Sequence, residues 1–189
     1  MTLTSSEKRT SFLHKSFGDR MVAAISPSTG FLTKRLCRQI DLANAKLVIE
    51  LGPGDGVSTL AVLAKMGPDA HMVVIERNAQ FVADLRKITD KRLTVIEGVA
   101  QDLEKHLPEA VGHADAVIAS IPFTYLFKDE RRAVVASAKK MLRSGGTFVI
   151  FHQYSLLMVP YVKEAFGPVH KEFEILNVLP AFLIKATKS

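Results

Sequence analysis

Beyond residue 45 the chain alternates short apolar runs with amphipathic stretches. Residues 46–51, 71–76, 92–96, 114–120 and 147–152 are short and rich in Val and Ile, the pattern of buried strands. Residues 58–66, 78–87, 102–107 and 130–142 lie between them and carry apolar positions at helical spacing. Strands separated by helices need crossover connections, which predicts a doubly wound α/β fold with a mostly parallel sheet and helices on both faces. Gly145-Gly146 reads as the C-terminal cap of the helix before the fifth strand. Residues 172–178 and 181–185, joined by a turn at Pro180, read as an antiparallel pair at the sheet's edge and bring the strands to seven.

Two N-terminal helices are expected ahead of the sheet. The 7–25 stretch places Leu13, Phe17, Met21 and Ala24 on one stripe, with Phe12 and Ile25 beside it and Lys8, Arg9, Lys15 and Arg20 flanking it. Such a stripe suits either a face packed on its own domain or a membrane surface. The second helix starts near Pro27-Ser28-Thr29, where a hydroxyl can cap free amides, and runs to about Ile40. No linker or repeat divides the chain, so 1–189 reads as one domain, with helices over 1–41 and a core over 46–189.

Composition narrows the class without choosing a chemistry. Hydrophobic residues make up 48% and charged residues 23%, a globular mix. No apolar run approaches the roughly 20 residues needed to cross a bilayer, and the first ten residues carry no signal-peptide core, so the cytosol is the expected compartment. Cys37 is the only cysteine, which excludes an internal disulfide and a cysteine metal cluster. His14, His71, His106, His113 and His170 show no ligand spacing, and no metal is expected. The charge is uneven: Lys8, Arg9, Lys15, Arg20, Lys34, Arg35 and Arg38 stand against Glu7 and Asp19 in the first 38 residues, a net +5 of the chain's +6. A basic end on a nearly neutral body suits an anionic partner, either a membrane surface or nucleic acid, or a simply solvated face.

The most informative stretch is Val48-Ile49-Glu50-Leu51-Gly52-Pro53-Gly54-Asp55-Gly56. Glycines at alternate positions after a buried strand allow a tight turn and a close ligand approach. A dinucleotide loop spaces its glycines G-x-G-x-x-G, and counted from Gly52 the third would fall on Val57. Glu50 just ahead of the loop would repel a pyrophosphate and suit a cationic amino group. S-adenosyl-L-methionine carries an ammonium, a carboxylate and a sulfonium and no phosphate, so the loop chemistry favours it over NAD. The second strand ends at Glu76-Arg77, where a carboxylate can accept both ribose hydroxyls. After the third strand, Glu97-Gly98-Val99-Ala100-Gln101-Asp102 offers loop amides to an adenine edge.

Together, the 50–56 loop, Glu76 and Ser120-Ile121-Pro122-Phe123 resemble the class I (Rossmann-like) methyltransferases over about residues 46–152. The whole chain further resembles bacterial phospholipid N-methyltransferases acting on phosphatidylethanolamine. That closer likeness rests on Ile25-Ser26-Pro27-Ser28, Ser120-Ile121-Pro122-Phe123, His152-Gln153-Tyr154-Ser155 and Asn177-Val178-Leu179-Pro180-Ala181, in that order. The resemblance implies the strand order 3-2-1-4-5-7-6, a cofactor site at Glu50, Gly52, Gly54, Gly56, Glu76, Arg77, Ala100, Gln101 and Ser120, and S-adenosyl-L-homocysteine as product. Where that family carries an acid near position 99 this chain has Val99, so adenine contacts are expected from backbone amides or Gln101.

An alkyl ammonium has a pKa of about 10 and must lose a proton before it accepts a methyl group. His152 and Tyr154, after the fifth strand, are candidates for that step, and Tyr125, past the Pro122 turn, is a candidate pocket wall. Ribosomal RNA adenine N6-methyltransferases are the second resemblance, and a small-molecule methyltransferase stays open beside them. The RNA enzymes carry Asn-Leu-Pro-Tyr where this chain has Ser120-Ile121-Pro122-Phe123, and an extra C-terminal helical domain where this chain stops at Ser189. Both points favour a phospholipid or anionic membrane surface over nucleic acid as partner.

Overall fold

The computed structural model describes residues 30–153, 155–174 and 181–189. In chain order the elements are α1 (Gly30–Arg38), β1 (Leu47–Leu51), α2 (Val57–Leu63), β2 (His71–Glu76), α3 (Ala79–Leu85), β3 (Leu93–Glu97), α4 (Leu103–His106), β4 (Ala114–Ala119), α5 (Lys128–Met141), β5 (Leu142–Gln153), α6 (Val159–Phe166), β6 (His170–Glu174) and β7 (Ala181–Thr187). The seven strands form one sheet in the order β3-β2-β1-β4-β5-β7-β6. Strands β1 to β5 pair in parallel, and β7 runs antiparallel to both β5 and β6. The first helix read from sequence, over 7–25, and the Ser28-Thr29 cap lie outside the described residues.

Alternation along the strands sorts the core into two layers. Ile49, Leu51, Val73, Ile75, Val117, Phe148 and Ile150 pack with Leu103, Val134, Val135, Ala138, Val162 and Phe166, the inner faces of α4, α5 and α6. Val48, Met72, Val74, Ala116, Ile118 and Val149 face the other way, onto Leu36 of α1, Val62 and Leu63 of α2 and Leu85 of α3. Both faces are covered, as a parallel sheet requires.

Two sequence expectations change. Gly145 and Gly146 lie inside β5, not after α5, because the helix stops at Met141 and the strand begins at once. The register jumps from Ala114 opposite Leu142 to Ala116 opposite Thr147, so the glycines occupy a bulge. Gly145 has φ +77°, its N–H reaches Lys188 O at 2.7 Å, and Lys188 N–H returns to Gly146 O at 2.9 Å. Helix α6 has no counterpart in the sequence reading. Pro160 sits in its first turn, where its missing N–H costs nothing.

Candidate functional site

The strand order reverses between β1 and β4, and in open α/β sheets a crevice forms outside the carboxyl ends of the strands at such a point. A cavity of about 320 Å³ stands there, walled by the segments that follow β1, β2, β3 and β4. Its size falls in the range of roughly 300–1,000 Å³ typical of small-ligand sites.

The loop after β1 continues the sheet before it turns. Gly52 N–H donates to Ile75 O at 2.9 Å, and Ser120 N–H donates to Leu51 O at 2.9 Å. Gly52 and Gly54 adopt φ +68° and +57°. A Cβ on Gly52 would collide with Ile121, whereas a Cβ on Gly54 would stand in open space. Both glycines line the cavity.

Glu76 closes the end of β2 with 7% of its surface exposed. Its Oε2 accepts Gly54 N–H at 3.3 Å and its Oε1 accepts Asn78 N–H at 2.8 Å. Each oxygen keeps a lone pair for a ligand hydroxyl. Asn78 then caps α3 through Gln80 N–H, which carries Phe81 into the cavity wall. After β3, Gly98 N–H donates to Glu76 O at 2.9 Å, and Ser137 Oγ donates to Gln101 O at 3.1 Å, so α5 holds the 98–101 loop. After β4, Arg131 Nε donates to Phe123 O at 2.9 Å, securing the turn that presents Pro122, Tyr125 and Leu126.

Of the residues singled out from sequence, Gly52, Gly54, Glu76, Arg77, Ala100, Gln101, Ser120 and Tyr125 meet in this one cavity. Glu50 and Gly56 do not line it. The Glu50 side chain is fully buried, and Ser58 Oγ and Thr59 Oγ1 donate to its two oxygens at 2.5 and 2.6 Å. It therefore holds the start of α2. Burial pushes its pKa up, and the two hydroxyl bonds only partly oppose that. Gly56, with φ +79°, is a packing glycine, since a Cβ there would come within 2.9 Å of Leu85 Cδ2 on α3. The backbone of His152 lies in β5 opposite Phe182, one residue before the strand ends at Gln153, and Tyr154 lies outside the described residues. Asn78, Phe81, Leu126 and Glu130 also line the cavity and were missed. A strand-end acid followed directly by a helix cap was the available signal for Asn78 and Phe81.

A family profile described as a methyltransferase domain matches residues 48–146, the stretch that builds the cavity. The chain belongs to that family. This methyltransferase uses S-adenosyl-L-methionine, and the glycine turn, the open space at Gly54 and the strand-end carboxylate suit that cofactor. The chain is 29% identical over 163 residues to an ornithine lipid N-methyltransferase of Singulisphaera acidiphila, covering 85% of each protein. It is 37% identical over 97 residues to ribosomal RNA small subunit methyltransferase A of Bartonella bacilliformis, covering 49% of this chain and 34% of that one. In fold the methyltransferase is similar to TrmN of Thermus thermophilus, with a TM-score of 0.69 and 18% identity over 88% of this chain and 51% of that one. Fibrillarin of Aeropyrum pernix with natively bound S-adenosyl-L-methionine gives 0.61 at 15% identity, covering 78% of this chain and 69% of that one.

Proposed function

We propose that this methyltransferase N-methylates the aliphatic amine of a phospholipid headgroup of the phosphatidylethanolamine type, working at a membrane surface. The observation that carries the reading is the lipid N-methyltransferase likeness, which spans 85% of both proteins, whereas the ribosomal RNA enzyme is matched over only 34% of its length. The basic N-terminal segment supports it. No helix among the described residues is long and apolar enough to cross a membrane, so the lipid would be met at its headgroup. Residues 1–189 act as one domain in this reading.

The cofactor supplies a methyl group already activated by positive sulfur. The protein's task is to hold an amine in line with it and to exclude water. Glu76 takes the ribose hydroxyls, Arg77 borders them, the 98–101 loop meets the adenine through Ala100 and Gln101, and Gly52 and Gly54 admit the amino-acid end. Ser120 borders the cofactor, and Tyr125 walls the acceptor side. The amine arrives protonated, and His152, near the end of β5, and Tyr154 beyond it are the candidate proton acceptors. Incubation with labelled S-adenosyl-L-methionine and separate pools of vesicles, ribosomal RNA and small amines tests the reading. Label should enter the aminophospholipid, and label in RNA alone would replace it with adenine methylation.

A further inference from the structure

The acceptor end of the cavity carries a carboxylate that the roles above leave unused. We infer that Glu130, with the ring of Tyr125, forms the subsite that binds the ammonium of the methyl acceptor. This rests on the reading that the acceptor is an aliphatic amine. Among the described residues that line the cavity, Glu76, Arg77 and Glu130 are the ones with a carboxylate or guanidinium side chain. Glu76 spends one lone pair of each oxygen on a backbone N–H and belongs with the glycine loop. Glu130 is different. It is half-buried at the start of α5, its Oε2 accepts Phe127 N–H at 2.6 Å, and its Oε1 has no protein donor among the described residues.

No ion pair neutralises Glu130 among the described residues, although Glu104 and Glu164 nearby in the fold are paired with Lys140 and Arg132. The adjacent Arg131 is turned away, bonded to Phe123 O, Thr124 O and Tyr161 Oη. Tyr125 shares the wall with 44% of its surface exposed, next to Ser120 and Pro122. A carboxylate and an aromatic ring on one wall is a pairing that selects an ammonium. The ring matters more as methyl groups accumulate, because each added methyl removes an N–H donor while the positive charge stays.

The charge also acts in the reaction. The acceptor first gives up a proton, to His152 or Tyr154 in the reading above, then its nitrogen lone pair forms the N–CH3 bond as the S–CH3 bond breaks. Positive charge passes from sulfur to nitrogen, and a fixed carboxylate beside the nitrogen stabilises its arrival.

Glu130→Gln separates this role from the structural one, since Gln at the third helical position still accepts the Phe127 N–H and keeps the cap. With labelled cofactor and vesicles of phosphatidylethanolamine and phosphatidylglycerol, Glu130→Gln should raise KM for the aminolipid about tenfold or more. Its affinity for S-adenosyl-L-homocysteine, read by calorimetry, should stay within about twofold. Tyr125→Leu should also raise KM, and Tyr125→Phe should restore it, because the ring face is what the cation meets. An unchanged KM in Glu130→Gln, in a protein whose wild type labels the lipid, overturns the subsite and leaves the lipid reading standing. A tenfold loss of S-adenosyl-L-homocysteine affinity instead assigns Glu130 to the adenine side and also overturns it. If the wild type labels RNA and no lipid, the lipid reading fails and the subsite fails with it.

Discussion

Each carboxylate oxygen of Glu76 accepts one backbone N–H, from Gly54 and Asn78, so this side chain shapes the loop as well as facing the cavity. Glu76→Ala removes a charge-assisted acceptor pair, worth about 1.5–3 kcal/mol per bond to a charged group. Calorimetry with S-adenosyl-L-homocysteine should show at least a tenfold loss, and an unchanged dissociation constant would move the ribose elsewhere. Glu50 behaves differently despite its place in the same motif. It shares strand parity with Val48, whose face packs on the α2 side, and that parity directs it at Ser58 and Thr59. The motif was legible in the sequence. The direction of that one side chain follows from alternation along β1. Because burial raises its pKa, Glu50 binds a proton more readily folded than unfolded, and its contribution to stability is lost as pH rises from the ordinary value, about 4.3, through the folded value. Glu50→Gln, neutral at every pH, should therefore gain in melting temperature relative to wild type as pH is raised from 4 to 8. A constant difference across that range would show that Glu50 does not titrate there.

Among elements, β1, β4 and β5 are tied together at the sheet edge opposite the cavity by one residue. Asp115 Oδ2 accepts the N–H groups of Lys46 and Leu47 at 2.6 and 3.0 Å, and its Oδ1 accepts Arg143 Nε at 2.6 Å. Burial pushes the Asp115 pKa up, but the Leu47 N–H, the Arg143 guanidinium and the Lys46 N–H together outweigh it and leave it below the usual value. Asp115→Ala should cost roughly 2–3 kcal/mol, held down because Arg143 is half exposed and its share is screened. For a chain of this size that lowers the melting temperature by about 2–4 °C per kcal/mol. Its contribution is present above the ordinary aspartate value of about 3.9 and is lost as pH falls through the lower folded value, so the gap to wild type should close in acid. Cofactor affinity should not change, and a matching loss of affinity would show that the two sheet ends are coupled. Element identity came through well in the sequence because parallel strands buried on both faces read as Val/Ile runs. The boundary at Gly145-Gly146 did not: these glycines carry turn chemistry that the tertiary structure uses inside a strand bulge.

For the whole molecule, apolar runs predict layers but contain no information on which strand lies beside which; the order 3-2-1-4-5-7-6 came from resemblance to a family. The N-terminal stretch remains a sequence-level prediction, since residues 1–29 lie outside the described residues. Lys8, Arg9, Lys15 and Arg20 beside Phe12, Leu13, Phe17 and Met21 should give salt-sensitive adhesion to anionic vesicles, with about 1 kcal/mol from each basic residue. Sedimentation with anionic vesicles at low salt should exceed that with neutral ones, and deletion of residues 1–20 should weaken it while sparing cofactor binding. A truncated protein that loses thermal stability and shows no lipid dependence would instead place the stripe on its own domain. The strand order has one more consequence. Among the described strands β6 pairs only with β7, and β7 follows it in the chain. During synthesis β6 must therefore wait outside the sheet until β7 leaves the ribosome, with the β5 edge bare beside it. Such an edge is a template for pairing with a neighbouring nascent chain. Ribosome-bound chains ending before Ala181 should be cut readily by protease within 142–174, and full-length released chains should resist, so a cell making this enzyme quickly would depend on chaperones in that interval.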